Sequence, residues 1–178
     1  LDQFLEANSN QRTDEYGGSG GNRNRFVLEV AHAVCDAVGN ERVGIRLSPM
    51  GVFNDIEPFE GFEEQFTELA QGLGKLGLVY LHLVDHSSMG APAVPMELKQ
   101  NLRQAFGETL ILSGGYDAKR GEADVEAGLG ELVAFGRSFL ANPDFIARIM
   151  KGADLNQPNF DLFYTPGPEG YIDYPQLD

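Results

Sequence analysis

One cysteine in 178 residues, Cys35, leaves no internal disulfide to be made, which fits a reducing cytosol. Set in a helical run, that cysteine reads as a core residue and not as a nucleophile. Basic side chains are scarce too: 13 stand against 27 acidic ones, for a net charge of −14. Such a surface repels nucleic acid and anionic lipid, so neither is expected as a partner. No apolar run is long enough to cross a membrane and no signal peptide opens the chain, so the expected location is cytoplasmic. An initiator methionine is missing as well. The chain opens LDQFL, apolar and aromatic at once, the expected form of a chain cut from something longer.

What is present is 42% apolar residues, enough for one core. Phe26, Val30, Val34 and Val38 recur every four residues, so 23–39 reads as an amphipathic helix stopped at Gly39-Asn40. VGIRLSP (43–49) then reads as a strand. A second helix carries Phe62, Phe66, Leu69, Leu73 and Leu76 on one face and ends at Gly77. LVYLHLVD (78–85) is a strand, 96–107 a helix, TLILSGG (109–115) a strand and 118–130 a glycine-weakened helix. ELVAFGR (131–137) is a strand, and 142–152 a helix with Pro143 in its first turn. The tail, 153–178, has no period. Its five aromatics and four prolines suggest an ordered loop packed on something.

Strands alternating with helices mean parallel βαβ units, and the apolar strands suggest that both sheet faces are buried. Two architectures satisfy this: an open doubly wound sheet, or part of a (β/α)8 barrel. A full barrel takes about 250 residues and eight units. This chain has half of those units, and a four-stranded sheet would leave two edges unpaired. Its expected organisation is one domain, with 1–22 a loop, 23–152 a helix plus four strand–helix units, and 153–178 a C-terminal loop.

In parallel α/β folds chemistry gathers at the carboxyl ends of the strands. The first end places Arg46 in an apolar strand, where a fixed anionic partner is expected. The second offers His82, Asp85 and His86, but their spacing matches no metal geometry, so no metal is expected. The third ends SGGY and the fourth FGR. Glycines after a strand let the backbone approach a ligand, and the pair, with Arg137, points to a phosphate group. RTDEYGGSGGNRNRF (12–26) also mixes arginine with glycine, yet it precedes a strand instead of following one. It reads as a loop scaffold, with Ser19 as helix N-cap and Arg23 and Arg25 bonded to nearby carboxylates or carbonyls.

LDQFL, SNQRTDEYGGS, NRNRF, VGIRLSPMGVF, VAFGR followed by ANPD, and FY with EGYIDYP occur in the order found in the Old Yellow Enzyme family. The chain resembles that family from end to end. The resemblance implies an FMN-dependent ene reductase, similar to N-ethylmaleimide reductases, on a (β/α)8 TIM barrel, with this chain supplying strands five to eight. It implies FMN as cofactor and NADPH or NADH as reductant, with hydride passing through the flavin to an activated alkene. By resemblance Gly114, Gly115, Gly136 and Arg137 hold the FMN phosphate, and Arg46 stabilises the reduced flavin at its N1/O2 edge. Phe163 contacts the cofactor, while Phe53, Asn54 and Tyr164 line the substrate cavity. The substrate-holding histidine pair and the proton-donating tyrosine precede LDQFL in the family. His32, His82 and His86 do not replace them. The expected partner is therefore the N-terminal half of the barrel as a second chain, or else self-association. Where the family carries a bulkier residue and then glutamate, this chain has Gly20-Gly21. The competing readings are a half-barrel or assembly module without turnover and a phosphosugar enzyme on a similar barrel, the latter leaving RTDEYGG and EGYIDYP unexplained.

Overall fold

A computed structural model of the chain describes residues 1–53 and 56–177. After a short helix α1 (Asp2–Leu5), the loop leads into α2 (Gly20–Val38). Four strand–helix repeats follow: β1 (Gly44–Leu47) and α3 (Phe62–Lys75), β2 (Tyr80–Val84) and α4 (Met96–Phe106), β3 (Thr109–Ser113) and α5 (Ala118–Glu126), then β4 (Leu132–Ala134) with α6 (Arg137–Ala141). The last helix is α7 (Phe145–Lys151), and short 3-10 turns occupy Asn40–Arg42, Ser87–Met89 and Phe160–Leu162. The chain forms two compact units, Leu1–Ala134 and Phe135–Asp178.

All strand pairs in the first unit are parallel, in the order β1-β2-β3-β4. This is the sheet that repeated βαβ crossovers dictate. Successive side chains alternate between faces. Leu47, Leu81, Leu83, Leu110 and Leu112 form a buried face, and the core continues through Leu69 and Leu73 of α3 and Leu98, Leu102 and Phe106 of α4. The opposite face is not buried throughout. Along one register row it carries Arg46, His82, Ile111 and Leu132, of which Arg46 is exposed and Leu132 is 53% exposed. The expectation of two buried faces is therefore corrected, because every core leucine of these strands lies on one side.

Ser19 caps α2 as expected, its side chain accepting from the Asn22 N–H, but the helix begins at Gly20. Its buried stripe is Asn24, Val27 and Ala31, one step around from the expected one, and Val34 and Val38 are 41% and 46% exposed. Cys35 is only half-buried on this helix, not a core residue. Several boundaries move inward. α5 stops at Glu126, β4 spans three residues, and Pro143 precedes α7 instead of opening it, leaving Asp144 as the N-cap.

Candidate functional site

The open row of the first sheet is its most polar part. Arg46 has no ion pair among the described residues, so the anionic partner expected from the sequence is not met among them. His82 stands opposite Arg46 in register. Its Nε2 is buried without a hydrogen-bond partner among the described residues. Burial, and then the positive charge of Arg46, push the His82 pKa below the ordinary imidazole value, which favours the neutral ring. Phe53 is exposed beyond β1, with its ring edge-on to His86 at 5.1 Å between centroids. Asn54 lies outside the described residues.

At the end of β2, Asp85 is 2% exposed and faces two cations, Lys99 Nζ at 3.5 Å and an Arg120 terminal nitrogen at 3.7 Å. Its Oδ1 accepts from the Ser87 N–H at 2.9 Å. Burial alone would raise this carboxyl, but Ser87, Lys99 and Arg120 together hold it below its usual range. Arg120 also lies over the Tyr116 ring, 4.2 Å from its centroid, and the Tyr116 hydroxyl donates to Asp124 at 2.6 Å. Burial first, then that bond, push the hydroxyl pKa up. Asp85 is thus an anchor within a polar core, and no metal-holding group occurs among the described residues. The same residue explains Gly114. A Cβ there would sit 1.7 Å from the Asp85 carbonyl oxygen, and its φ is +104°. Gly115 is next to it in the loop after β3.

Gly136 and Arg137 open the second unit. Gly136 has φ −89°, and a Cβ built on it meets nothing within 4 Å among the described residues, so their packing does not account for glycine here. The Arg137 guanidinium has no ion pair or hydrogen bond among the described residues; it lies over the Phe160 ring at 5.6 Å. Phe160 in turn contacts Phe163 at 5.0 Å, and Phe163 meets Tyr164 edge-on at 6.4 Å. The structure therefore groups Arg137, Phe163 and Tyr164 through a ring that sequence reasoning did not single out. Tyr164 has φ +63°, the one non-glycine residue in the left-handed region among those described, and is 95% exposed.

The tail carrying these rings is anchored by residues of ANPD and by Arg148. Asn142, fully buried, donates to the Ser138 and Asn156 carbonyls and accepts from the Asn156 N–H at 2.7 Å. Arg148, 6% exposed, donates to Asp144 at 2.8 Å, to the Asp154 carbonyl at 2.6 Å and to the Pro175 carbonyl at 2.8 Å. The Leu177 N–H closes the second Asp144 oxygen at 2.7 Å. EGYIDYP supplies two clamps: the Tyr174 hydroxyl accepts from the Asn159 N–H at 2.7 Å and the Tyr171 hydroxyl from the Tyr164 N–H at 2.8 Å. Neither Asn142 nor Arg148 was singled out as a support. Asn142 lies in the motif ANPD just after α6, and the signal of Arg148 is a polar side chain on the buried side of a short helix.

The arginines of residues 12–26 are engaged locally. Arg12 pairs with Asp14, Arg23 bonds the Gln65 side chain at 2.9 Å and the Gly18 carbonyl, and Arg25 donates to the Glu15 carbonyl at 2.9 Å. None is left for a ligand, as a scaffold loop requires.

A parallel sheet in sequential strand order, with helices between its strands, defines an α/β protein. Residues 1–156 match the model of the NADH:flavin oxidoreductase / NADH oxidase family. Aldehyde reductase FrzD of Cladobotryum sp is 43% identical over 98% of this chain and 48% of its own length. The 12-oxophytodienoate reductase 2 of Arabidopsis thaliana is 41% identical over 100% of the chain and 48% of its own length. Among solved structures, morphinone reductase superimposes with a TM-score of 0.92 at 44% identity, over 99% of this chain and 47% of its own. The chain belongs to the Old Yellow Enzyme family of FMN-dependent oxidoreductases, whose reductant is NADH or NADPH. It spans about half the length of the curated relatives it matches. No helix among the described residues is long and apolar enough to cross a membrane.

Proposed function

We propose that residues 1–178 are the C-terminal half of a single FMN-binding (β/α)8 domain, contributing strands five to eight. The N-terminal half of the same barrel completes it. The completed barrel is a cytoplasmic ene reductase that uses NADPH or NADH to reduce activated C=C bonds in enones, maleimides and nitro compounds. The observation that supports this best is coverage: the likeness runs through all four strand–helix units while spanning only 48% of each relative.

The residues present fit FMN. Arg137 has no counter-anion among the described residues, and Gly136 leaves the space of a missing side chain open beside it. The row holding Arg46 also holds an orphaned imidazole nitrogen. When bound, FMN supplies hydride transfer between a nicotinamide and the activated alkene. This chain's residues bind and orient it. The guanidinium of Arg137 and the backbone N–H groups of Gly114, Gly115 and Gly136 would take the phosphate. Arg46 would place a positive charge against the N1/O2 edge of the ring, where electron density accumulates on reduction. Phe163 would pack on the cofactor, and Phe53, Asn54 and Tyr164 would shape the substrate cavity.

The test is flavin retention. The chain mixed with the N-terminal half should carry FMN through gel filtration, and the chain alone should not. A completed barrel that emerges colourless removes the reading.

A further inference from the structure

The Phe160–Tyr164 segment touches the guanidinium assigned to the phosphate, although nothing in the proposed chemistry requires that contact. The Arg137 guanidinium lies 5.6 Å from the Phe160 ring centroid, and none of its N–H groups is bonded among the described residues. An arginine held by its face keeps its donors free in the plane of the group, aimed outward in a rigid fork. Phe160 itself is held. It opens a 3-10 turn whose N-cap, Asn159, accepts from the Asp161 N–H at 3.1 Å. The Tyr174 and Tyr171 hydroxyls clamp the segment on either side, at Asn159 and Tyr164. Phe160 is nonetheless 59% exposed, so its ring adds little to the core.

We infer that Phe160 is a positioning residue for anion binding: its ring presents the Arg137 guanidinium to the phosphate of the cofactor, and the same ring ties phosphate occupancy to the order of the Phe160–Phe163–Tyr164 segment. The inference rests on the reading that Arg137 holds the phosphate. Part of the binding energy of a remote, unreactive group is thereby spent on ordering an aromatic segment that the same reading places over the substrate.

The experiment compares FMN with riboflavin, which lacks the phosphate, on the completed barrel. Phe160→Leu should weaken FMN binding about two- to fivefold, the equivalent of one exposed cation–π contact. Riboflavin binding should be unchanged, and Phe160→Trp should restore FMN affinity. FMN, but not riboflavin, should also slow chymotryptic cleavage at residues 160–164, and Arg137→Ala should abolish that protection. If Arg137→Ala weakens FMN selectively while Phe160→Leu does not, the inference is overturned and the phosphate reading stands. If Arg137→Ala leaves the FMN-to-riboflavin ratio unchanged, the phosphate reading fails and the inference with it. Equal weakening of both flavins by Phe160→Leu overturns the inference, because the ring then acts on the isoalloxazine or the fold.

Discussion

Gly114 and Gly136 each follow a strand in an otherwise similar setting, yet adding one methyl group to each should have opposite consequences. In Gly114→Ala the new Cβ would lie 1.7 Å from the Asp85 carbonyl oxygen and 2.6 Å from its carbon. Both are main-chain atoms of a neighbouring strand end, so no rotamer change relieves the contact. The φ of +104° adds a conformation that L side chains avoid. Overpacking of this kind costs about 1–3 kcal/mol, and unfavourable backbone geometry about 1–3 kcal/mol more. A combined loss of about 3 kcal/mol corresponds to a Tm lowered by about 3–5 °C in a completed barrel of about twice this chain's length. Gly136→Ala meets no atom of the described residues within 4 Å and has an ordinary φ of −89°. It should cost under about 1 kcal/mol, as an altered N-cap does. Its effect should fall on FMN affinity, with riboflavin spared. Thermal unfolding of the flavin-free completed barrel, followed by circular dichroism, separates the two. Equal melting temperatures for the two variants would refute the packing argument. A Gly136→Ala barrel that binds FMN as tightly as wild type would refute the assignment of Gly136 to the phosphate.

Three further outcomes are expected. Arg148→Met removes the donors to the Asp154 and Pro175 carbonyls; charged hydrogen bonds of this type are worth about 1.5–3 kcal/mol each, so hydrogen exchange over 153–177 should accelerate by two or more orders of magnitude, and unchanged protection would contradict the anchoring role. Asp85 has a folded pKa below its unfolded value, so its contribution to stability is complete above the unfolded pKa and is lost as pH falls through the folded one. Asp85→Asn should therefore flatten the acid limb of the stability profile below about pH 4, while at neutral pH it should cost about 3 kcal/mol by leaving buried Lys99 without its anion; denaturant titration across pH reads both. At Tyr164, with φ +63°, glycine should be more stable than alanine by about 1 kcal/mol, and a chemical-denaturation midpoint that ranks them the other way would remove the strain argument.

The βαβ order was legible because the longer helices repeat their apolar side chains with a period that the strands break. Phe66, Leu69 and Leu73 lie on the expected buried face of α3. The Ser19 cap was legible because capping is local chemistry. What escaped depends on contacts between residues far apart in sequence. Val34 and Val38 match the helical period, yet the packing of α1 and α3 against α2 selects Val27 and Ala31. Asp85 looked like a polar strand mouth because its cations lie 14 and 35 residues further on, at Lys99 and Arg120. α1 and α6 are too short to show a period, at four and five residues. At the candidate site, motif order singled out Gly136, Arg137, Phe163 and Tyr164, but Phe160, the ring that joins them, carries no motif of its own.

The account stands most directly on the colour of the flavin in the completed barrel. Under anaerobic conditions NADPH or NADH should bleach the bound FMN, and an activated alkene such as a maleimide should then restore the colour with one alkene reduced per flavin. Flavin that is retained and bleached but never recoloured by any activated alkene would contradict the ene reductase reading.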